Sequence, residues 1–221
     1  NFTTGKKTNL KRVINKIKIV NKDIRNLNSI NKLFNGIDIV FHLAALADIV
    51  PSIENPQNYF TTNVNGTFNV LKASLENRVK RFIYSASSSC YGIPKKYPTS
   101  ENEKIYTKYP YALTKRLGEE LVLHFADVYK LNATSLRFFN VYGKRSRTSG
   151  TYGAVFGVFL AQKIAKKPFT VVGNGMQKRD FTHVSDITNA IIKVSIKKNL
   201  KNKIYNVCSG KTVSINRIIE L

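Results

Sequence analysis

Tyr111 stands four residues before Lys115, directly behind Pro110. On a helix such a pair shares one face with Cβ atoms about 5–6 Å apart, so a phenol and an ammonium can act together as an acid–base device. The same spacing recurs at Tyr91 and Lys95, but Gly92 and Pro94 lie between them. Proline removes a helical hydrogen bond and glycine costs helix stability, so only Tyr111 and Lys115 are expected to share a helix face. Pro110 suits the first turn of that helix. A tyrosine working as a base near neutrality needs its pKa moved by about 3 units, or roughly 4 kcal/mol. A nearby cation supplies about 1 kcal/mol in water but about 4 at an effective dielectric of 20. The pair is therefore expected in a partly buried site, with Lys115 supplying part of the field. A serine hydroxyl could bridge the tyrosine to a substrate oxygen. The run Ser85-Ala86-Ser87-Ser88-Ser89 offers Ser87, with Ser88 beside it; on composition alone a serine-rich turn is the plainer reading.

These groups need a scaffold. Short β-branched runs at Lys18–Val20, Ile37–Leu43, Arg81–Ser85, Ala133–Arg137 and Ile204–Val207 read as strands. Longer amphipathic segments at Leu27–Phe34, Tyr59–Asn77, Tyr111–Tyr129, Val155–Ala165 and Val184–Ile196 read as helices. Strand and helix in alternation predict an α/β fold, a doubly wound parallel sheet covered on both faces. In such sheets ligands bind beyond the carboxyl ends of the strands. The residues there include Asp23-Ile24, Ala44-Ala45, Ser85 to Ser89 and Phe138-Phe139-Asn140, small or polar for the most part, with room for a flat ligand.

With 221 residues, 43% of them hydrophobic, the chain can bury a real core. Its longest apolar run, Ala154–Ala161, falls well short of the roughly 20 residues a membrane helix needs, so no membrane partner is expected. Cys90 and Cys208 form no CxxC pair, and His42, His124 and His183 are scattered, with no second histidine or cysteine at helical spacing. Neither a disulfide scaffold nor a metal site is expected. The formal charge of +23 would by itself suggest nucleic acid. The lysines are spread through loops and helix ends among many Asn and Ile, without a nucleic-acid motif, so no nucleic-acid partner is expected. The chain opens Asn1-Phe2-Thr3-Thr4-Gly5, with neither a Met nor a signal region. A cytoplasmic protein is expected, with Asn1 an internal residue.

Six segments carry a resemblance: Phe41-His42-Leu43-Ala44-Ala45, Asn63-Val64-Asn65-Gly66-Thr67, Tyr84 to Gly92, Tyr111 with Lys115, Leu136 to Gly143, and Arg179 to Asp186. In this order and spacing the chain resembles the UDP-galactose and UDP-N-acetylglucosamine 4-epimerases of the NAD-dependent epimerase/dehydratase family, extended short-chain dehydrogenases. The resemblance implies a Rossmann-like fold, NAD as cofactor, and epimerisation of a UDP-sugar at C4 through a transient 4-keto sugar. By position it implies Ser87, Tyr111 and Lys115 as catalytic residues, with the positive nicotinamide adding to the field of Lys115. It sets Asp23 and Ile24 at the adenine, and Thr3, Gly5, Leu43, Ala44, Ala45 and Thr62 along the dinucleotide. Phe139 falls beside the nicotinamide. Asn140, Val155 and Arg179 match contacts to the nucleotide diphosphate, where a guanidinium fork suits phosphate oxygens; Ser87 and Ser88 would face the sugar. The alternative for Arg179 is a surface ion pair with Asp180.

Two departures qualify the match. A dinucleotide fold needs a glycine-rich turn after its first strand and an acidic ribose ligand about 20 residues on; neither is in these residues. The expectation is that the first βαβ half-unit is missing ahead of Asn1 and that the sugar-nucleotide domain is incomplete after Lys211. The expected division is 1–142 with 176–206 for the dinucleotide domain, and 143–175 with 207–221 for part of the sugar-nucleotide domain. A full-length parent is expected to be a homodimer. Arg145 and Arg147 follow Asn140 in a loop and could pair with a uronate carboxylate, although a neutral sugar is the default. A 4,6-dehydratase is the rival enzyme, but its acidic residues after the active-site serine are replaced here by Ser88-Ser89-Cys90. A remnant without catalysis is the rival from another class.

Overall fold

The computed structural model describes residues 1–146, 148, 155–201 and 203–221. Four strands, β1 (Ile39–His42), β2 (Arg81–Ser87), β3 (Ala133–Phe138) and β6 (Ile204–Val207), form one sheet in the order β1-β2-β3-β6. All three pairings are parallel, as the alternation of strands and helices predicts. Helices α4 (Gly66–Glu76) and α5 (Pro110–Val128) cover one face. Phe82, Tyr84 and Ala86 of β2 point into a core shared with Val70 and Leu71 of α4 and Val122 and Phe125 of α5. Successive strand residues alternate in direction, and Arg81 reaches the other face, where its Nη1 donates 2.7 Å to the carbonyl of Val194 in α7 (Val184–Ile196). The sheet is thus covered from both sides, a Rossmann-like α/β fold.

A smaller sheet follows directly from β3. Its strands are β4 (Asn140–Tyr142), β5 (Lys178–His183) and β7 (Thr212–Ser214), with β4 parallel and β7 antiparallel to β5. Helix α6 (Val155–Ile164) packs Phe156 against Tyr142 and Phe181, with ring centroids 4.6 and 5.0 Å apart. Short helices α2 (Val50–Glu54) and α3 (Pro56–Phe60) precede a π turn at Thr61–Asn65 that runs into α4, and α8 (Ile215–Glu220) closes the chain.

The expected strand at Lys18–Val20 does not form; these residues join no ladder. β-branched composition favours a strand only where a partner supplies its hydrogen bonds, and among the described residues β1 pairs with β2 alone. The coil is held instead by its ends: the Asn1 ammonium donates to the Lys22 carbonyl at 2.6 Å and its Nδ2 to Asp23 at 2.8 Å.

Candidate active site

Ser87 ends β2, and Tyr111 and Lys115 lie in the first turns of α5. Pro110 occupies the first turn as expected, after Tyr109 in extended conformation. The helix runs back along the strand. Its four-residue step of about 6 Å matches the strand's two-residue step of about 6.6 Å. Tyr111 therefore meets Ser87, with which it shares a hydrogen bond, while Lys115 meets Ser85, whose carbonyl accepts from its ammonium. Ser87 also caps the 3-10 turn Ser88–Tyr91, accepting from the Ser89 amide at 3.2 Å and its hydroxyl at 2.9 Å. The predicted catalytic set is brought together at the carboxyl edge of the large sheet.

The electrostatics of the chain's own residues give one part of the expected field. Lys115 is buried, at 4% exposure, as a strong field requires. Its ammonium is aimed at Ser85 and the Tyr84 ring rather than at the phenol. Burial lowers the Lys115 pKa to about 7, against the opposing charge of Glu119. Burial likewise pushes Tyr111 above the usual tyrosine value; the Ser87 hydrogen bond opposes this and the carboxylate of Asp48 adds to it. In this arrangement Tyr111 is held as a protonated acid, and Lys115 alone does not turn it into a base.

Asp48 escaped the sequence reading. It follows β1 in a left-handed conformation, φ 88°, open to few residues besides Gly, Asn and Asp. It lines a cleft of about 490 Å³ together with Thr4, Ala45, Leu46, Asn58 and Tyr59. The loop is tied to α5 by Asn63. Its Oδ1 accepts from the Leu46 amide at 2.7 Å, and its Nδ2 donates to the Leu46 carbonyl at 3.0 Å and the Thr114 hydroxyl at 3.1 Å. Asn63 sits in one of the six segments singled out above, but only its burial on a helix reveals the clamp.

A second buried network braces α5 further along. The Glu119 carboxylate accepts from Arg137 Nη2 at 2.7 Å, from Arg137 Nε at 3.0 Å and from the Ser135 hydroxyl at 2.7 Å. Arg137 Nη1 then donates to the Tyr91 hydroxyl at 2.6 Å, which itself donates to Asn206 at 2.8 Å. Tyr91, whose spacing mimics that of Tyr111, therefore belongs to the fold's bracing.

The proposed dinucleotide residues divide by position. Leu43, Ala44 and Ala45 lie just beyond β1, and Phe139 just beyond β3, its amide donating to the Val207 carbonyl at 3.2 Å. Thr62 is half-buried in the π turn. Thr3 and Gly5 lie in the exposed N-terminal coil. A side chain at Gly5 would meet only Phe2, at 3.8 Å. The Asp23 carboxylate is engaged by Arg25 Nη2 at 2.8 Å and by the Arg25 amide at 2.9 Å. These bonds, led by the Arg25 side chain, hold its pKa far below the usual carboxylate range. Ile24 packs into the core over Gly66, where a Cβ would come within 2.6 Å of its Cδ1.

The substrate candidates occupy the second sheet. Asn140 on β4 donates to the Asp180 carbonyl at 2.9 Å. Arg179 on β5 is exposed. The Asp180 carboxylate accepts from the amides of Ser209 and Gly210 at 2.9 and 2.8 Å. Neighbours on a strand face opposite ways, so the alternative of an Arg179–Asp180 ion pair gains no support. Val155 opens α6, and Ser88 is half-buried in the 3-10 turn. Arg147 lies outside the described residues.

Comparison with known proteins agrees with this architecture. The chain is 33% identical to a putative UDP-glucose 4-epimerase of Methanocaldococcus jannaschii, covering 100% of this chain and 71% of the relative. It is 31% identical to a UDP-N-acetyl-alpha-D-glucosaminuronate decarboxylase of Bacillus cytotoxicus, over 100% of this chain and 69% of the other. A UDP-N-acetylglucosamine 4-epimerase from Methanobrevibacter ruminantium M1, solved in complex with UDP-N-acetylmuramic acid, superposes with a TM-score of 0.94. Its identity is 32%, with 100% of this chain and 70% of that one covered. Against other curated relatives the share spanned falls to as little as 42% of their length. The model of the NAD dependent epimerase/dehydratase family matches residues 1–208, and the chain belongs to that family.

Proposed function

We propose that this chain forms the catalytic core of a nucleotide-sugar 4-epimerase acting on a UDP-sugar. The observation that carries the reading is the meeting of Ser87, Tyr111 and Lys115 at the carboxyl edge of the parallel sheet. The small residues beyond β1 and the open space at Gly5 fit NAD, which Thr3, Gly5, Asp23, Ile24, Leu43 to Ala45, Thr62 and Phe139 would hold. When bound, NAD supplies the acceptor and donor of hydride at the sugar's C4. With the positive nicotinamide adding its field to that of Lys115, Tyr111 would stand as a phenolate, taking the 4-hydroxyl proton and returning it on either side of a 4-keto sugar. Ser87 keeps the reacting oxygen within reach of the phenol, and Lys115 supplies buried positive charge from the next turn. Asn140, Val155 and Arg179 would hold the nucleotide diphosphate, with Ser88 toward the sugar.

The substrate is read as a neutral hexose or N-acetylhexosamine, with a uronate as the alternative if Arg147 pairs with its carboxylate. Arg147→Ala would then raise the barrier for UDP-glucuronate alone, by roughly 1.5–3 kcal/mol. The reading further takes the full-length protein as a cytoplasmic homodimer that supplies surface-polysaccharide precursors or serves sugar metabolism. Its proposed layout keeps 1–142 with 176–206 as the dinucleotide unit and 143–175 with 207–221 as part of the sugar-nucleotide unit. No helix among the described residues is long and apolar enough to cross a membrane.

The test is to purify the full-length protein, release and identify bound dinucleotide, and follow UDP-glucose and UDP-N-acetylglucosamine by mass spectrometry and NMR. Interconversion with the C4 epimer, without added cofactor, is the expected result. One observation favours a second reading, the 4,6-dehydratase: Asp48 places a carboxylate near Tyr111, where an elimination needs acid–base help. A 4-keto-6-deoxy product would decide for it.

A further inference from the structure

Tyr84 lies beneath Lys115 and touches it twice. Its ring centroid is 4.5 Å from the ammonium, and its hydroxyl donates to the Lys115 carbonyl at 3.3 Å. It is 1% exposed and sits on β2 immediately before Ser85, whose carbonyl takes the ammonium's hydrogen bond. The ring and the carbonyl together make a shaped receptacle for a cation. A buried ammonium is driven toward the neutral amine unless something compensates its lost hydration, and the negative face of an aromatic ring compensates best where water is excluded.

Among the groups around Lys115, Tyr84 shares that task with Glu119. From β1, His42 lies behind the Tyr84 ring with centroids 5.6 Å apart. Burial, and then the Lys115 charge, lower its pKa to about 3, so it is neutral and brings no counter-charge. From α5 itself, Glu119 is one turn on; its charge favours the ammonium, while its carboxylate is bonded to Arg137 and Arg116 and does not touch Lys115. The Tyr84 hydroxyl stays protonated, because burial drives its pKa upward. Gly118 completes the seat from above. A Cβ there would lie 2.3 Å from the Tyr84 hydroxyl and 3.4 Å from the Asn63 carbonyl, so only glycine lets α5 settle onto the ring.

We infer that Tyr84 is a positioning residue whose ring face, with the Ser85 carbonyl, seats Lys115 as an ammonium and fixes where its charge stands beneath the active site. The inference rests on the proposed roles of Tyr111 and Lys115. It assigns a task to an aromatic side chain that touches no reacting atom.

The experiment replaces Tyr84 with phenylalanine and with phenylalanines of increasing ring fluorination, which keep the ring's size while weakening its negative face. Lys115 is read directly by 15N NMR of its Nζ across pH, its signal identified by loss in Lys115→Met. Circular dichroism checks that each variant is folded. Tyr84→Phe should titrate with the parent, because the ring is retained. Fluorination should lower the Lys115 midpoint stepwise, by about one unit for the fully fluorinated ring. A midpoint that stays fixed across folded variants overturns the proposal. In the full-length protein the alkaline limb of turnover should move to lower pH with the midpoint; a limb that stays in place while the midpoint moves also overturns the positioning role. A shifting midpoint in a protein that epimerises no UDP-sugar would support the seat and refute the proposed function, so the two fail separately.

Discussion

Replacing Glu119 by glutamine should be among the most damaging single changes in this chain that touches no reacting atom. The Glu119 side chain is 1% exposed and that of Arg137 is 2% exposed. The remaining partners of Arg137, the Tyr91 hydroxyl and the Glu101 carbonyl at 3.0 Å, are neutral. Glu119→Gln therefore leaves a buried guanidinium without a counter-charge and turns an amide NH2 toward donors. Breaking a buried pair in this way costs about 3–5 kcal/mol, against a total stability of about 5–15 kcal/mol for a domain. For a chain of this size each kcal/mol is worth about 2–4 °C in Tm. Urea unfolding followed by circular dichroism gives the cost. The double variant Glu119→Gln/Arg137→Gln should lose less than the sum of the singles, since the stranded charge is gone. The pH dependence has a definite sign. Burial would raise the Glu119 pKa, but its bonds to Arg137 and Ser135 and the Arg137 and Arg116 charges hold it below the usual range. Its contribution is present above the unfolded value of about 4.3 and is lost as pH falls through the folded value. The gap between parent and variant should accordingly narrow below about pH 4. A cost under about 1 kcal/mol at pH 7 would refute the reasoning, since it would mean that water reaches the pair.

Four further outcomes are expected. Tyr111→Phe should lower turnover of the full-length protein by about 10²–10⁴ with little change in UDP affinity, whereas Tyr91→Phe should lower stability and leave turnover near the parent's; steady-state kinetics showing equal losses would contradict the helix-face assignment. Gly118→Ala should destabilise by about 1–3 kcal/mol through overpacking and be partly rescued by Tyr84→Phe, which denaturation of the single and double variants would reveal. His42 is neutral when folded, with its pKa lowered to about 3, against about 6.5 unfolded. The unfolded chain then binds the extra proton, stability should fall as pH drops from about 6.5 toward 3, and His42→Gln should flatten that slope in urea titrations. Finally, these 221 residues hold no glycine-rich pyrophosphate turn, so calorimetry should find NAD binding weaker than micromolar; tighter binding would mean that another segment performs that role.

How far the sequence carried these conclusions varies with what each element depends on. Helix α7 and strand β6 have the expected bounds, Val184–Ile196 and Ile204–Val207, because an amphipathic period and a β-branched run are local properties. Strand β5, Lys-Arg-Asp-Phe-Thr-His, has no strand-like composition and went unread; pairing with β4 and β7 makes it a strand. Lys18–Val20 failed for the converse reason, having the composition without the partner. In the site, the shared helix face of Tyr111 and Lys115 was legible from their spacing, whereas Ser87 was one of several serines after β2 and was singled out by the resemblance. Asp48, Tyr84 and the Glu119–Arg137 pair were not, since each acts through a neighbour distant in sequence. The share of the field that reaches Tyr111 from Lys115 was not legible, because the path of the Lys115 side chain, toward Ser85, is settled only by tertiary packing.

The high formal charge has a consequence for handling these 221 residues in solution. Phe41 and Leu43 are 44% and 55% exposed, and exposed apolar side chains of this kind favour association between molecules. What opposes such association is long-range repulsion between molecules that each carry a formal charge of +23. That repulsion has a range of about 30 Å at 0.01 M salt and about 8 Å at 0.15 M. Colloidal stability should therefore be governed by ionic strength more than by temperature. Dilute buffer would keep the molecules dispersed, and added salt would bring their exposed apolar side chains within reach of one another while each fold stays intact.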